Sequence, residues 1–502
     1  MSAGIGTERS RKVPSEVEVV PLSRFTPDAA LAVGGPSWLV ARRAAAAERL
    51  QAQSMPSEAE EIWRYSGIDT FDLDRFAPSL APGDVAVAAA LATARSAAVS
   101  FGAHAALVVT LDGRVVAIQG PGSGTGVDSA GVGGAGVGGA GVDGDGSGSL
   151  QVYAAAAAAV PPTALGAVAV GGDAFDELHD AFLCDAAVVD VAAGSDVGHP
   201  VLVIHLVRGD AVGARGGAVF PRTVVRLGEG ARAGVVELIL PAAAAAAGAG
   251  GGARDGLAAA TGTGLGPLVV SVAELEVADG ASLAYANLQE LDHSATQVAV
   301  QASRVGTDGE LRSFSAVAGG GYARLRTDAT VAGSGARSTL LAAYLGTGDQ
   351  VLDFRTRQVH AAPRTHSELL FKGAVADTAR SVYSGLIRIR RGARGSDALQ
   401  TNHNLVLSEG ARADSVPNLD IEENDVRCSH ASTVGPIDED QRYYLESRGI
   451  EPTVAERLVV AGFFTDLAAR APFDGVGRRL QALVGEQLIA RTPSATAGAG
   501  RG

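Results

Sequence analysis

The run Gly335-Ala336-Arg337-Ser338-Thr339-Leu340-Leu341-Ala342-Ala343-Tyr344-Leu345 joins a small-residue corner to an apolar strand, and the combination recurs along the middle of the chain. Corners of the same kind stand at Gly230-Ala231-Arg232, Gly280-Ala281-Ser282, Gly392-Ala393-Arg394 and Gly410-Ala411-Arg412, with Asp308-Gly309 and Gly348-Asp349 between them. Strand-like runs occupy residues 201–207, 223–227, 268–277, 338–345, 386–390 and 404–407. A stacked coil needs such corners, because each rung must bend sharply before laying its next strand on the rung below, and glycine permits the bend. The alternative is an antiparallel sandwich with ordinary glycine turns, but few hairpin dipeptides separate these strands. The fold read from this pattern is mainly β, a parallel solenoid over residues 186–435.

The flanks differ. Residues 1–185 mix helix and short strand. Residues 36–53 are alanine-rich with Trp38, Leu39 and Leu50 as anchors, and Ser57 with Glu60 forms a capping-box pattern opening a helix that holds Ile62 and Trp63. Residues 106–119 read as a hairpin around Asp112-Gly113. The segments 120–150 and 242–266 are Gly- and Ala-rich insertions; strings such as Gly120-Pro121-Gly122-Ser123-Gly124 lack the strand-loop-helix context of a nucleotide loop and read as linkers. Residues 436–502 form a helical domain and a disordered tail. Asp438 caps the first helix, whose apolar face is Tyr443-Tyr444-Leu445 and whose stop is Gly449; Pro452 opens the second, and residues 476–489 make the third.

Bulk properties narrow the function. The 502 residues are 47% hydrophobic and carry a formal charge of -14 with no basic block, which argues against nucleic acid or an anionic membrane as partner. No apolar run approaches the roughly 20 residues needed to span a bilayer. The first 14 residues show neither a secretory signal nor a lipidation motif, so the expected compartment is the cytoplasm, where Cys184 and Cys428 are free thiols. The only lysines, Lys12 and Lys372, sit outside any Walker A loop, so the chain has no ATP site of its own. Gly-x-Ser-x-Gly, His-Glu-x-x-His and Cys-x-x-Cys are also missing.

The sharpest local feature is Asp425-Val426-Arg427-Cys428-Ser429-His430, at the junction of strands and helices. On an extended segment Cys428 and His430 share a face roughly 6 to 7 Å apart, a separation that suits two ligands of one cluster or a thiolate-imidazole relay. Arg427 and a nearby imidazolium would favour the thiolate. The plainer reading is a buried cysteine and a partly exposed histidine at a strand end. Two ligands fall short of the four a cluster usually takes, so a metal here would be shared with a second chain. His360 is a secondary candidate along with Arg427. His366 and His403 read as hydrogen-bonded structure, and Asn402 with Asn404 as part of an asparagine ladder between rungs.

Several motifs resemble the SufB/SufD family of the SUF iron-sulfur cluster assembly system. They are Val416-Pro417-Asn418-Leu419-Asp420-Ile421, Cys428-Ser429-His430, Thr433-Val434-Gly435, Ile437-Asp438-Glu439 and residues 444–450. Upstream, His360 with Pro363, Thr365 and Ser367 joins them, as do Phe371-Lys372-Gly373, Tyr383-Ser384-Gly385, Asp397-Ala398-x-Gln400-Thr401-Asn402 and Glu61-Ile62-Trp63-Arg64-Tyr65. The likeness is to the SufD side, since a SufB chain would show a Cys-x-His-Glu-type segment and more cysteines. Ala431-Ser432, where the family usually has Gly-Ala, and the two insertions are departures.

The resemblance implies a right-handed parallel β-helix with a flanking N-terminal domain and a C-terminal helical domain. It implies a scaffold without catalysis of its own, pairing with SufB through the β-helix, or with a second copy of itself, and docking the ATPase SufC through its C-terminal helices. A transient iron-sulfur cluster would form at the SufB interface beside His430 and Cys428, with His430 as ligand or proton donor. Reduced flavin is linked to such complexes, and no motif here marks a flavin site. A β-helix polysaccharide lyase or hydrolase and a purely architectural subunit are the competing expectations.

Overall fold

The structure, a computed structural model, describes residues 23–120, 149–168, 171–208, 215–242 and 265–490. The bulk of both glycine-rich insertions and the tail from Thr492 lie outside the described residues.

From Ala187 onward, successive strands alternate between two parallel sheets and wind a flattened coil of about seven turns. In one sheet Thr296 pairs with Tyr322, Tyr322 with Val351, Val351 with Arg380 and Arg380 with Arg412, so a turn takes roughly 30 residues, within the usual range for solenoid repeats. The sandwich alternative is thereby excluded. Antiparallel pairing is confined to the start, where Ala106–Leu111 turns back into Arg114–Gln119 and Leu150–Ala154 pairs with Ala187–Val191.

The corners work as the sequence implies, with one exception. Gly230, Gly280, Gly335 and Gly392 all have φ between 65° and 90°, a region that penalises any Cβ. The alanine after each is fully buried and starts the inner wall. Gly410 has no positive φ; a Cβ there would lie 2.7 Å from the Asp377 carbonyl oxygen, so close approach accounts for the glycine. The runs 201–207 and 268–277 match their strands, whereas 386–390 overlaps only the end of Arg380–Ile389 and 404–407 only the end of Ser396–Val406.

Because the register is parallel, inward side chains stack in columns. One column runs Tyr285, Ser313, Leu340, Leu369, Gln400, His430. Beside it runs Leu283, Leu311, Ser338, Ser367, Ala398, Cys428. Aromatic rings fill the middle turns, with Tyr344 stacked on Phe354 at 4.2 Å and Phe371 meeting both Phe354 and Tyr383 edge-on.

The flanking elements cover the coil's outer faces. Pro452–Ala469 and Asp474–Ala490 lay Val460, Phe464, Leu467, Leu480 and Val484 onto the sheet that carries Leu238, Ala316 and Ala343. Lys372 Nζ pins the first of these helices, donating to the Phe463 carbonyl (3.0 Å) and Asp466 (2.6 Å). On the other sheet, Trp63 and Phe175 belong to an aromatic N-terminal core. No described helix is long and apolar enough to cross a membrane.

Two local expectations are corrected. Ser57 and Glu60 make half a capping box, the Ser57 amide donating to Glu60 Oε1 at 3.1 Å, and the element it opens is one 3₁₀ turn, Glu61–Trp63. Asp438 does cap Glu439–Ser447 through the Asp440 and Gln441 amides, but this helix buries none of its residues; Tyr443 and Tyr444 are 72% and 57% exposed.

Inside the first turns a polar cluster replaces hydrocarbon. Glu237 accepts from the Tyr285 hydroxyl (2.9 Å) and Asn287 Nδ2 (3.0 Å), and lies 3.8 Å from His205, whose ring nitrogens meet Thr110 (2.7 Å) and Thr223 (2.9 Å). Burial pushes the Glu237 carboxyl up to about 7, against the hydrogen bonds it accepts, and pushes His205 down to about 3. The raised carboxyl contributes stability that is complete below about pH 4.5 and is lost as pH rises to about 7. The depressed imidazole contributes stability that is complete above about pH 6.5 and is lost as pH falls to about 3. Between pH 4.5 and 6.5 the two slopes cancel. Glu237→Gln, which keeps only the histidine slope, is expected to match the native chain near pH 4.5 and to exceed it by about 3 kcal/mol at pH 7.5. Urea midpoints at the two pH values test this; a gap that does not widen with pH would show that Glu237 is ionised in the fold.

Candidate functional site

The last rung consists of Arg412–Ile421 and Val426–Gly435, each at the end of its sheet, so each presents a row of backbone N–H and C=O groups on its outer edge. No described element covers this end of the coil. Leu419, Ile421 and Val434 continue buried inward columns but are themselves 39%, 43% and 46% exposed.

Cys428 and His430 lie on this rim. Alternation puts both on the inward face, as the sequence reading required, because they continue the columns through Ala398 and Gln400. Cys428 is half-buried against the apolar cluster of Ile387, Ile389, Ala393 and Ala398, while His430 is exposed. Neither ring nitrogen of His430 has a partner among the described residues. Two residues on, Ser432 Oγ donates to Ser415 Oγ (2.7 Å), and Ser415 donates to Asn402 Oδ1 (2.9 Å), linking the rim to the interior.

The thiolate expectation does not hold. Arg427 occupies the outward face, opposite Asp397 in the neighbouring strand, and is exposed. The Cys428 thiol is pushed up, by burial first and by the Asp397 carboxylate second. In the isolated chain Cys428 is therefore a thiol at neutral pH, and forming a thiolate takes a metal or another cation brought from outside.

His360 lies inside the coil and is fully buried, with Nδ1 on Thr365 Oγ1 and Nε2 on Ser367 Oγ, both at 2.8 Å. Burial pushes it down to about 4, so it is neutral and has both nitrogens engaged. It stands apart from the rim: Ser367 is two rungs below Cys428 in the same column. Asn402 and Asn404 form no ladder between rungs; they bond each other within one strand (2.7 Å) and share the Tyr344 hydroxyl. Cys184 belongs to the connection that precedes Ala187–Val191, at the opposite end of the coil from Cys428.

Sequence reasoning passed over Gln400, grouping it with a motif and giving it no role. It is fully buried directly beneath His430, and neither amide atom has a hydrogen-bond partner among the described residues. Among those residues no group of three or more His, Cys, Asp or Glu is arranged to hold a metal ion. The rim thus offers one imidazole and one thiol to anything that binds there.

Comparison with known proteins fits this architecture. The family model described as SUF system FeS cluster assembly, SufBD core domain, matches residues 210–463, which takes in most of the coil and the first part of the C-terminal helices. A Mycobacterium tuberculosis protein named as iron-sulfur cluster assembly SufBD family is 36% identical over 223 residues, 43% of this chain and 56% of that protein. The iron-sulfur cluster assembly protein SufD of Bacillus subtilis is 31% identical over 214 residues, 42% of this chain and 49% of its own. SufD of Escherichia coli is 32% identical over 176 residues, 35% and 42% of the two chains. The chain spans about half the length of the curated relatives it matches. With the family model covering half its residues and the coil it describes laid out strand by strand, the chain belongs to the SufBD core family of the SUF iron-sulfur cluster assembly system.

Proposed function

We propose that the chain is a SufD-type scaffold subunit working in the cytoplasm. Its open coil end pairs with SufB, its C-terminal helices dock the ATPase SufC, and a nascent cluster, the cargo, is built at the SufB joint with His430 as ligand or proton donor and Cys428 in a secondary role. The observation that carries this reading is the uncovered last rung. A solenoid needs a cap at each end, and this one ends in two open strand edges, half-exposed Leu419, Ile421 and Val434, and an inward imidazole and thiol. A like coil seated there would satisfy the backbone edges and supply the cluster ligands this chain lacks. The exposed Tyr443, Tyr444, Val454 and Leu458 of the C-terminal helices support a second docking surface, and the missing Walker A loop leaves ATP hydrolysis to a partner.

The test is co-expression with SufB and SufC of the same organism. The complex purified with His430→Ala is expected to keep its subunit ratio and ATPase activity and to lose bound iron and sulfide, with Cys428→Ala losing less. Native iron in the His430→Ala complex would reduce the chain to an architectural role, and failure to recover either partner would overturn the scaffold reading.

A further inference from the structure

Resting on that reading, we propose that Gln400 is a positioning residue for His430: its Oε1 accepts a hydrogen bond from the ring N–H nearer the coil and leaves the other nitrogen's lone pair facing the docked end. The two residues are register partners in adjacent parallel strands and share the inward face. Gln400 is the column neighbour of His430 on the coil side, and solvent lies on the other side.

A buried amide with both ends unpaired calls for an explanation, since burying such a group without a partner costs on the order of 1–3 kcal/mol. Packing does not provide one. The amide reaches across the coil to the bare backbone of Gly385, where an added Cβ would lie 2.4 Å from both Gln400 Nε2 and the Tyr383 hydroxyl. Tyr383 is already engaged with Thr356 at 3.0 Å. Gly385 therefore lets the amide lie against bare backbone, a contact that gives it no hydrogen bond, and rotation of the Gln400 side chain toward the rim exchanges that contact for the imidazole. A histidine that binds a metal usually has its second nitrogen held by an acceptor, and that hydrogen bond sets the tautomer and the ring plane. Beneath His430 the acceptor at hand is Gln400 Oε1.

A merely structural Gln400 and a positioning Gln400 predict opposite results. Gln400→Leu removes a buried unpaired amide at similar volume, so the urea midpoint is expected to stay or rise. In the free chain, the ring 15N shifts of His430, assigned by their loss in His430→Ala, are expected to change from one dominant tautomer to a mixture. In the complex with SufB and SufC, bound iron is expected to fall about tenfold with subunit ratio unchanged. Gln400→Glu, which keeps an acceptor oxygen, is expected to retain the native tautomer and most of the iron. It decides the matter if the leucine variant fails to fold: a folded Gln400→Glu chain with mixed tautomers overturns the proposal. So does Gln400→Leu with native shifts and native iron. If His430→Ala also retains iron, the functional reading has failed with it; if His430→Ala loses iron and Gln400→Leu does not, only the positioning role is wrong.

Discussion

Replacing Asp353 with alanine is expected to destabilise the chain by about 3–5 kcal/mol, the usual cost of removing one partner from a buried ion pair. The carboxylate is fully buried and holds two arginines: it pairs with Arg324 Nη1 and accepts from Arg355 Nε at 2.6 Å. Both guanidiniums also tie down the N-terminal segment, Arg324 Nη2 donating to the Ile62 carbonyl (2.8 Å) and Arg355 Nη2 to the Arg64 carbonyl (2.6 Å). Arg324 further lies 3.6 Å above the Trp63 ring. Without Asp353 two cations remain in a site closed to water, and the cheapest relief is to let residues 61–65 lift off the outer sheet. The expected signature is a lowered urea midpoint together with new trypsin cleavage after Arg64. The double variant Asp353→Ala, Arg324→Met should recover part of the loss, because it removes one of the stranded charges while keeping most of the packing on Trp63. A double variant no better than the single one would mean that the loss comes from shape, not from charge.

That clamp also explains one motif that the sequence offered without a reason. Glu61-Ile62-Trp63-Arg64-Tyr65 is a strap across the outside of the coil, and its backbone carbonyls serve as ligands for arginines some 260 to 290 positions away. The corners were readable because a positive φ restricts residue choice at each of four turns. The strands Thr296–Val305 and Val351–His360 were not, because their inward positions carry Gln301, Ser303, Thr356, Gln358 and His360. A coil interior can stack hydroxyls and amides on one another, as Gln301 does with Ser313 and Gln358 with Ser367, while its outer face is covered by helices, so the polar and apolar sides no longer alternate cleanly.

The helix Asp84–Val99 escaped for a similar reason. Its buried stripe is Ala90, Ala94 and Ala98, a spacing of four residues that carries little signal in an alanine-rich run. At the rim, strand alternation alone placed Cys428 with His430, and the same alternation puts Arg427 on the other face, which the thiolate expectation overlooked. Gln400 was illegible as a site residue because its relation to His430 depends on the register between strands one full turn apart, and the corner loops set that register.

Gly373→Ala is expected to cost about 3 kcal/mol or more, at or beyond the upper end for an overpacked core, and to disturb the rim as well. Each residue of Phe371-Lys372-Gly373 has a separate task. Phe371 fills the interior, Lys372 holds the C-terminal helix outside, and Gly373 receives the Tyr344 ring, where an added Cβ would lie 1.9 Å from a ring carbon. The ring has no room to retreat. Its other face is stacked on Phe354 at 4.2 Å, and its hydroxyl is held by Asn404 (2.6 Å) and Asn402 (3.0 Å). The displacement must therefore pass into Asn402, whose Oδ1 accepts from Ser415, which in turn meets Ser432 two residues from His430. The Gly373→Ala chain should show a lowered urea midpoint and, in the complex proposed above with SufB and SufC, less bound iron per folded subunit than a destabilised control such as Asp353→Ala. Adding Tyr344→Leu, which vacates the space the new methyl needs, should restore much of the stability but not the iron, since the hydroxyl that anchors Asn402 is gone. Full recovery of both would show that the methyl acts by crowding alone and that the Tyr344-Asn402-Ser415-Ser432 chain has no part in setting the rim.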